Sequence, residues 1–151
     1  MMQYLTEDQK ATIQSAIQIL EGLIIDGEAL TSPTDTAELL RLKLAPLEHE
    51  VFGVLFLTTR HQVIEYQEMF RGTIDGAAVY PREVAKAALK ANAAAVIFAH
   101  NHPSGAAEPS ESDRAITRRL VEGLSILDIR VLDHLVVSTQ GYVSFAERGW
   151  L

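Results

Sequence analysis

The residues of this chain best suited to chemistry fall in one short stretch, AHNHPSGAAEPSESD, positions 99–113. His100 and His102 stand either side of Asn101, and Ser110 and Asp113 follow. In extended backbone, alternate side chains share a side, with Cα atoms roughly 6.5–7 Å apart. Two imidazoles so placed can converge on one ion, at about 2.0–2.1 Å each for zinc. Asn101 then faces the other way, where it can hold the loop by hydrogen bonds. Pro103 and Gly105 turn the chain back. Ser110 and Asp113 are spaced as the N-cap and third position of a helix, so Asp113 can project from the first turn toward the same ion. Two neutral nitrogens and one carboxylate leave a fourth position open, the layout of catalytic rather than structural zinc. The plainer readings are that S-x-x-D caps a helix without any metal, and that H-x-H alone is a weak signal. Ser and Asp at these offsets, after a buried strand and a tight turn, are what strengthen the metal reading. The order H-x-H…D also favours zinc over the two-histidine, one-carboxylate iron sites.

The elements that must position these residues can be read on either side of them. AAAVIFA, 93–99, is a continuous apolar run and reads as a buried central strand ending at the histidines. Ser110 caps a helix running to about Leu124. Upstream, residues 6–26 read as an amphipathic helix capped at Thr6, with Ile13, Ile17, Leu20 and Ile24 at helical spacing and Gly27 as its stop. Its Leu/Ile stripe is either core or the face of a homodimer. Ser32 and Pro33 start a second helix. Two strands follow, near 49–58 and 63–70, joined by TTRHQ as a hairpin connection. Pro81 opens a helix that ends at Asn92, a residue that tolerates left-handed backbone. RVLDHLVVS is a strand, QG a turn and YVSF a last short strand. The fold class is α+β, a three-layer αβα arrangement with a mixed sheet flanked by helices. Residues 1–44 are expected to be a helical appendage, and 45–151 the catalytic unit.

Composition narrows the function classes. The 151 residues suit one domain. There is no cysteine, which removes disulfides, thiolate nucleophiles and cysteine-ligated zinc, and fits a cytoplasmic protein. The formal net charge of -7 and the lack of any clustered Lys/Arg argue against direct nucleic-acid binding. No run approaches the roughly 20 apolar residues that cross a bilayer, and the polar opening MMQYLTEDQK is no secretory signal.

From His100 the string reads H-x-H, seven residues, Ser110, two residues, Asp113, which resembles the JAMM (MPN+) metalloprotease signature. GTIDGAAVYPREV, AVIFAHNHPSGAAEPSESDRAIT and LDHLVVSTQGYVSF each resemble the RadC family of bacterial proteins. The likeness runs from about Ser32 to Gly149. It implies a core similar to cytidine deaminase in outline, Zn2+ held by His100, His102 and Asp113, and Ser110 beside the reaction centre. It also implies a glutamate as general base from an early strand. Glu48 and Glu50 share strand parity, but Glu50 directly precedes VFGVLFL, where the family pattern places its glutamate, and is the choice. Longer RadC proteins carry an N-terminal helix-hairpin-helix segment. The first forty residues here lack its G-h-G signature, so the chain resembles a short form.

The expected function is thus zinc-dependent hydrolysis of amide or isopeptide bonds in a protein or peptide substrate, in a family historically labelled DNA repair. The alternative is a non-catalytic partner-binding module linked to DNA replication, repair or phage functions. Asp133 and His134 sit mid-strand on opposite faces, so at most one can reach the site; both read as structural, with His134 the one that could neighbour a ligand. Arg71 and Thr73 read as turn residues with a groove-lining role as the lesser reading, and Trp150 as packing.

Overall fold

The computed structural model describes residues 4–25, 32–72 and 78–151. The expected helix stop at Gly27, the side chain of Ile24, and Thr73 lie outside the described residues. Two helices come first, α1 (Glu7–Ile25) and α2 (Pro33–Leu44). Both start as their caps dictate. Thr6 and Gln9 exchange side-chain and backbone hydrogen bonds, and the Ser32 hydroxyl accepts from the Asp35 N–H at 3.3 Å. A hairpin follows, β1 (Val51–Leu57) and β2 (Val63–Arg71), its turn closed by Thr58 N–H to Gln62 O. Then come α3 (Pro81–Lys90), β3 (Ala95–Asn101), α4 (Glu111–Ile126), β4 (Arg130–Val137) and β5 (Tyr142–Ser144). Just past α3, Asn92 takes the left-handed conformation, φ 56°. Among the described residues no helix is long and apolar enough to cross a membrane.

The five strands form one mixed sheet in the order β2-β1-β3-β4-β5. β1 runs antiparallel to both β2 and β3, β3 parallel to β4, and β4 antiparallel to β5. β1 and β3 are buried along their whole length, as central strands with both faces covered must be. Their alternation sorts two cores. Leu55, Leu57, Ile97 and Ala99 pack with Ala37, Leu40 and Leu44 of α2. Phe52, Val54, Phe56, Val96 and Phe98 pack with Val84 and Ala88 of α3 and Leu120 and Leu124 of α4. The result is the expected mixed α+β architecture, helices on both sides of a sheet.

α2 is built into the first of these cores, so the appendage expected over 1–44 does not separate at Leu44. Removing α2 would strip a cluster in which Leu40 is 1% exposed and Leu44 wholly buried. α1 is the outer layer: its Ile17 packs on Leu39 of α2, with Val63 of β2 at the margin.

Candidate metal centre

Strand alternation delivers the first ligand. His100 shares the α4 side of β3 with Phe98 and is 2% exposed. Asn101 faces the other side, but the backbone it holds is the entry to β1 rather than its own loop. Its Oδ1 accepts from the Val51 N–H at 2.7 Å, and its Nδ2 donates to the carbonyls of His49 and Leu47 at 3.0 and 3.5 Å. Those contacts bracket Glu50. The pairing of Phe52 with His100, counted two residues outward on each strand, brings Glu50 opposite His102.

Beyond β3 the chain turns at once. His102 N–H donates to Val137 O, and Gly105, at φ 99°, closes back onto His102 O; a Cβ would strain that conformation. The loop returns to α4, whose first turn is a capping box. The Asp113 N–H donates to Ser110 Oγ at 3.0 Å, and the Ser110 N–H donates to Asp113 Oδ2 at 2.7 Å. This cap fixes the carboxylate while leaving it facing the histidines.

Four polar atoms meet there. His100 Nε2 lies 3.0 Å from His102 Nε2 and 3.2 Å from Asp113 Oδ1, and His102 Nε2 lies 3.2 Å from Asp113 Oδ2. His102 Nδ1 is 3.0 Å from the carbonyl of Ala106, which can only accept, so that nitrogen carries the proton and Nε2 keeps its lone pair. A lone pair beside a carboxylate needs a cation between them. Bonds of about 2.0–2.1 Å to a tetrahedral zinc give ligand separations of about 3.3–3.4 Å, close to those seen. The donor set therefore fits a zinc ion, and among the described residues these three form the one group of metal-ligand type.

The electrostatics agree. Burial works to raise the Asp113 carboxyl, but the facing imidazoles of His100 and His102, wherever their Nε2 atoms take up a proton, and the Ser110 N–H hold it well below the usual carboxylate range. The Asp113 hydrogen bond raises His102, against the effect of partial burial, with a smaller push from Glu50. Burial above all, then the neighbouring His100, drives His134 well below the usual imidazole range.

A cavity of about 170 Å³ opens beside the ligands, its wall including Glu50, Phe52, His100, Ser112, Asp113 and His134. The structure thus brings Glu50 to the wall of this cavity beside the candidate ligands and leaves Glu48 exposed outside it. Ser110 is exposed and outside that wall too; its hydroxyl accepts from Asp113 and still has its own proton to give. Ser112, two residues on, lines the cavity and was not anticipated. Arg71 points elsewhere, 3.5 Å from His49 Nδ1. Asp133 and His134 do lie on opposite faces. His134 is fully buried against the site, its Nε2 2.7 Å from His100 Nδ1, while Asp133 accepts from Ser144 Oγ at 2.6 Å. Trp150 packs edge-on to Phe145 beneath the Arg114 and Arg148 guanidiniums.

A family model for the RadC-like JAB domain matches residues 30–150. The chain belongs to the RadC family. RadC-family relatives are close: a UPF0758 protein of Vibrio cholerae is 60% identical over 92% of this chain and 87% of its own length. UPF0758 proteins of Cellvibrio japonicus and Marinobacter nauticus are 62% and 56% identical over 94% and 93% of the chain. The chain spans only 63% and 62% of the length of those two RadC relatives. The RadC match begins ahead of α2, in accord with the packing of that helix into the sheet.

Proposed function

We propose that this RadC-family chain is a zinc-dependent hydrolase acting on amide or isopeptide bonds of a protein or peptide. The observation that carries the reading is the convergence of two imidazole nitrogens and a carboxylate, with His100 and Asp113 on the wall of a cavity that Glu50 also lines. Zinc held by His100, His102 and Asp113 would supply a Lewis acid to polarise a carbonyl and bring the pKa of a water toward neutrality.

The remaining work falls to the chain. Glu50, its backbone pinned by Asn101, takes the proton of the attacking water and hands it to the departing amine. Ser110, outside that cavity wall but held beside Asp113, keeps a hydroxyl proton that could be offered to the oxyanion of the tetrahedral intermediate. Phe52 gives the cavity an apolar side that strengthens every polar contact inside it.

Two variants test the reading. His102→Ala should abolish the one-per-chain zinc of the parent, measured by elemental analysis after dialysis; unchanged stoichiometry rejects the ligand set. Glu50→Gln should retain zinc and lose cleavage of isopeptide-linked or linear peptide probes by roughly a hundredfold or more. If the parent takes up no zinc at all, the partner-binding reading replaces the hydrolase.

A further inference from the structure

We infer that Thr117 and His134 act as positioning residues, holding His100 in the single tautomer that presents a bare Nε2 to the metal. The inference deepens the metal reading and rests on it for its functional consequence. It follows from counting protons along a buried chain of hydrogen bonds.

The chain starts at the backbone of a ligand. Thr117 Oγ1 lies 2.6 Å from the carbonyl oxygen of Asp113 and 2.6 Å from His134 Nδ1. A carbonyl only accepts, and a threonine hydroxyl has one proton to give. That proton goes to Asp113 O, so His134 Nδ1 must donate to the hydroxyl oxygen. His134 is sealed among Phe52, Phe98 and Phe145, wholly buried, with no carboxylate in hydrogen-bond contact. An imidazole there is neutral, so with Nδ1 protonated its Nε2 accepts. The atom 2.7 Å away, His100 Nδ1, must then be the donor. His100 Nε2 is left with a lone pair, aimed at His102 Nε2 and Asp113 Oδ1. A donor and an acceptor are assigned at every step, and the reverse pattern would set a lone pair of the Thr117 hydroxyl against the Asp113 carbonyl oxygen at 2.6 Å.

A second feature puts His134 where the chain needs it. β3 and β4 pair Val96 with Val131 but Ile97 with Asp133, so Leu132 is an extra residue. Val131 packs on the α4 side and Leu132 on the α2 side. Strict alternation would send residue 133 back toward α4. The bulge sends His134 there instead. Asp133 holds it: Oδ1 accepts from the N–H groups of His134 and Ala146 at 2.7 and 3.0 Å, and Oδ2 from Ser144 Oγ. The Asp-His pair of LDHL is thus a bulge clamp followed by an orienting ring. Partners of this kind fix the tautomer and direction of metal-bound histidines, and their loss costs about 10–100-fold in metal affinity.

Thr117→Val and Thr117→Ser separate this role from packing. Valine keeps the shape and loses the hydroxyl; serine keeps the hydroxyl and loses a methyl. Zinc affinity of the full chain, read by competition with a chelator, should fall about 10–100-fold for Thr117→Val and stay near the parent for Thr117→Ser. Equal affinity of valine variant and parent, or a serine variant as weak as the valine one, overturns the inference. Nitrogen-15 spectra of the metal-free parent give an independent reading. His134 and His100 should each show a protonated Nδ1 and a bare Nε2, and the reverse tautomer at His134 also overturns it. A parent with these tautomers but no zinc uptake would fail the proposed function while leaving the tautomer assignment standing.

Discussion

The two faces of this sheet are held by different means. On the α2 face, β1, β3 and β4 present Leu55, Leu57, Ile97, Leu135 and Val137 to Ala37, Leu40 and Leu44, an apolar contact whose fit is decided by shape. On the α4 face the packing starts the same way, with Phe56, Phe98, Leu120 and Leu124. It then turns polar toward His100. His100, His134 and Thr117 are each no more than 2% exposed, yet each has fixed hydrogen-bond partners. Buried polar groups are tolerable only on those terms. The apolar cluster under α2 is therefore sensitive to lost volume, and the polar cluster around His100 to a lost donor or acceptor.

The largest separation of the two should come from Leu40→Ala. It removes a fully packed side chain from the α2 face and should cost about 2–5 kcal/mol of folding stability. Zinc stoichiometry of the molecules that remain folded should match the parent. Denaturant unfolding with parallel metal analysis checks both halves. A Leu40→Ala protein that folds but has lost its zinc would show that the faces are coupled and end the comparison.

A smaller effect on the same face should follow from Gly53→Ala. Gly53 lets the Tyr66 ring lie flat across β1; a Cβ would sit 2.6 Å from ring carbon Cε2. Tyr66 cannot withdraw easily. Its hydroxyl is buried without a partner, the one such side-chain atom among the described residues, and its ring lies under the Lys43 ammonium, which pairs with Glu21. Overpacking of this kind costs about 1–3 kcal/mol. A melting temperature unchanged from the parent would mean that the hairpin yields more freely than its packing indicates.

How much of this could be read from residues alone follows the same division. His100, His102 and Asp113 were legible because strand period and helix capping are rules about near neighbours. The layers were legible because AVIFA and VFGVLFL are apolar on both faces. Three things were not. α2 looked detachable because its Ala37, Leu40 and Leu44 stripe is interleaved with charged residues of both signs, and nothing in that stretch says what the stripe faces. Glu50 could not be told from Glu48 by parity, which the two share, and the clamp that sets Glu50 at the entry to β1 comes from Asn101, far along the chain. Thr117 gave no signal, since its partner His134 reaches the site only through a bulge that alternation does not foresee.

The smallest effect concerns protons in place of metal. In the metal-free protein the Asp113 carboxylate raises His102 above its usual range. A group whose folded pKa is raised contributes stability that is complete below its unfolded value, about 6.5, and lost as pH rises through the folded value. The depressed Asp113 carboxyl works in the opposite sense: its contribution is present above its unfolded value of about 3.9 and is lost only in stronger acid, so it is constant across the neutral range. The metal-free form thus gains, as pH falls, a proton on the lone pair that zinc would use. Zinc binding must displace that proton. The rise in melting temperature on adding zinc should accordingly be greatest near about pH 8 and shrink toward about pH 5.5. Calorimetry with and without zinc at both values measures it. A zinc-induced shift that stayed constant across this range would mean that His102 holds no proton in competition with the ion, and that the carboxylate beside it acts as a helix cap rather than as the group that tunes a ligand.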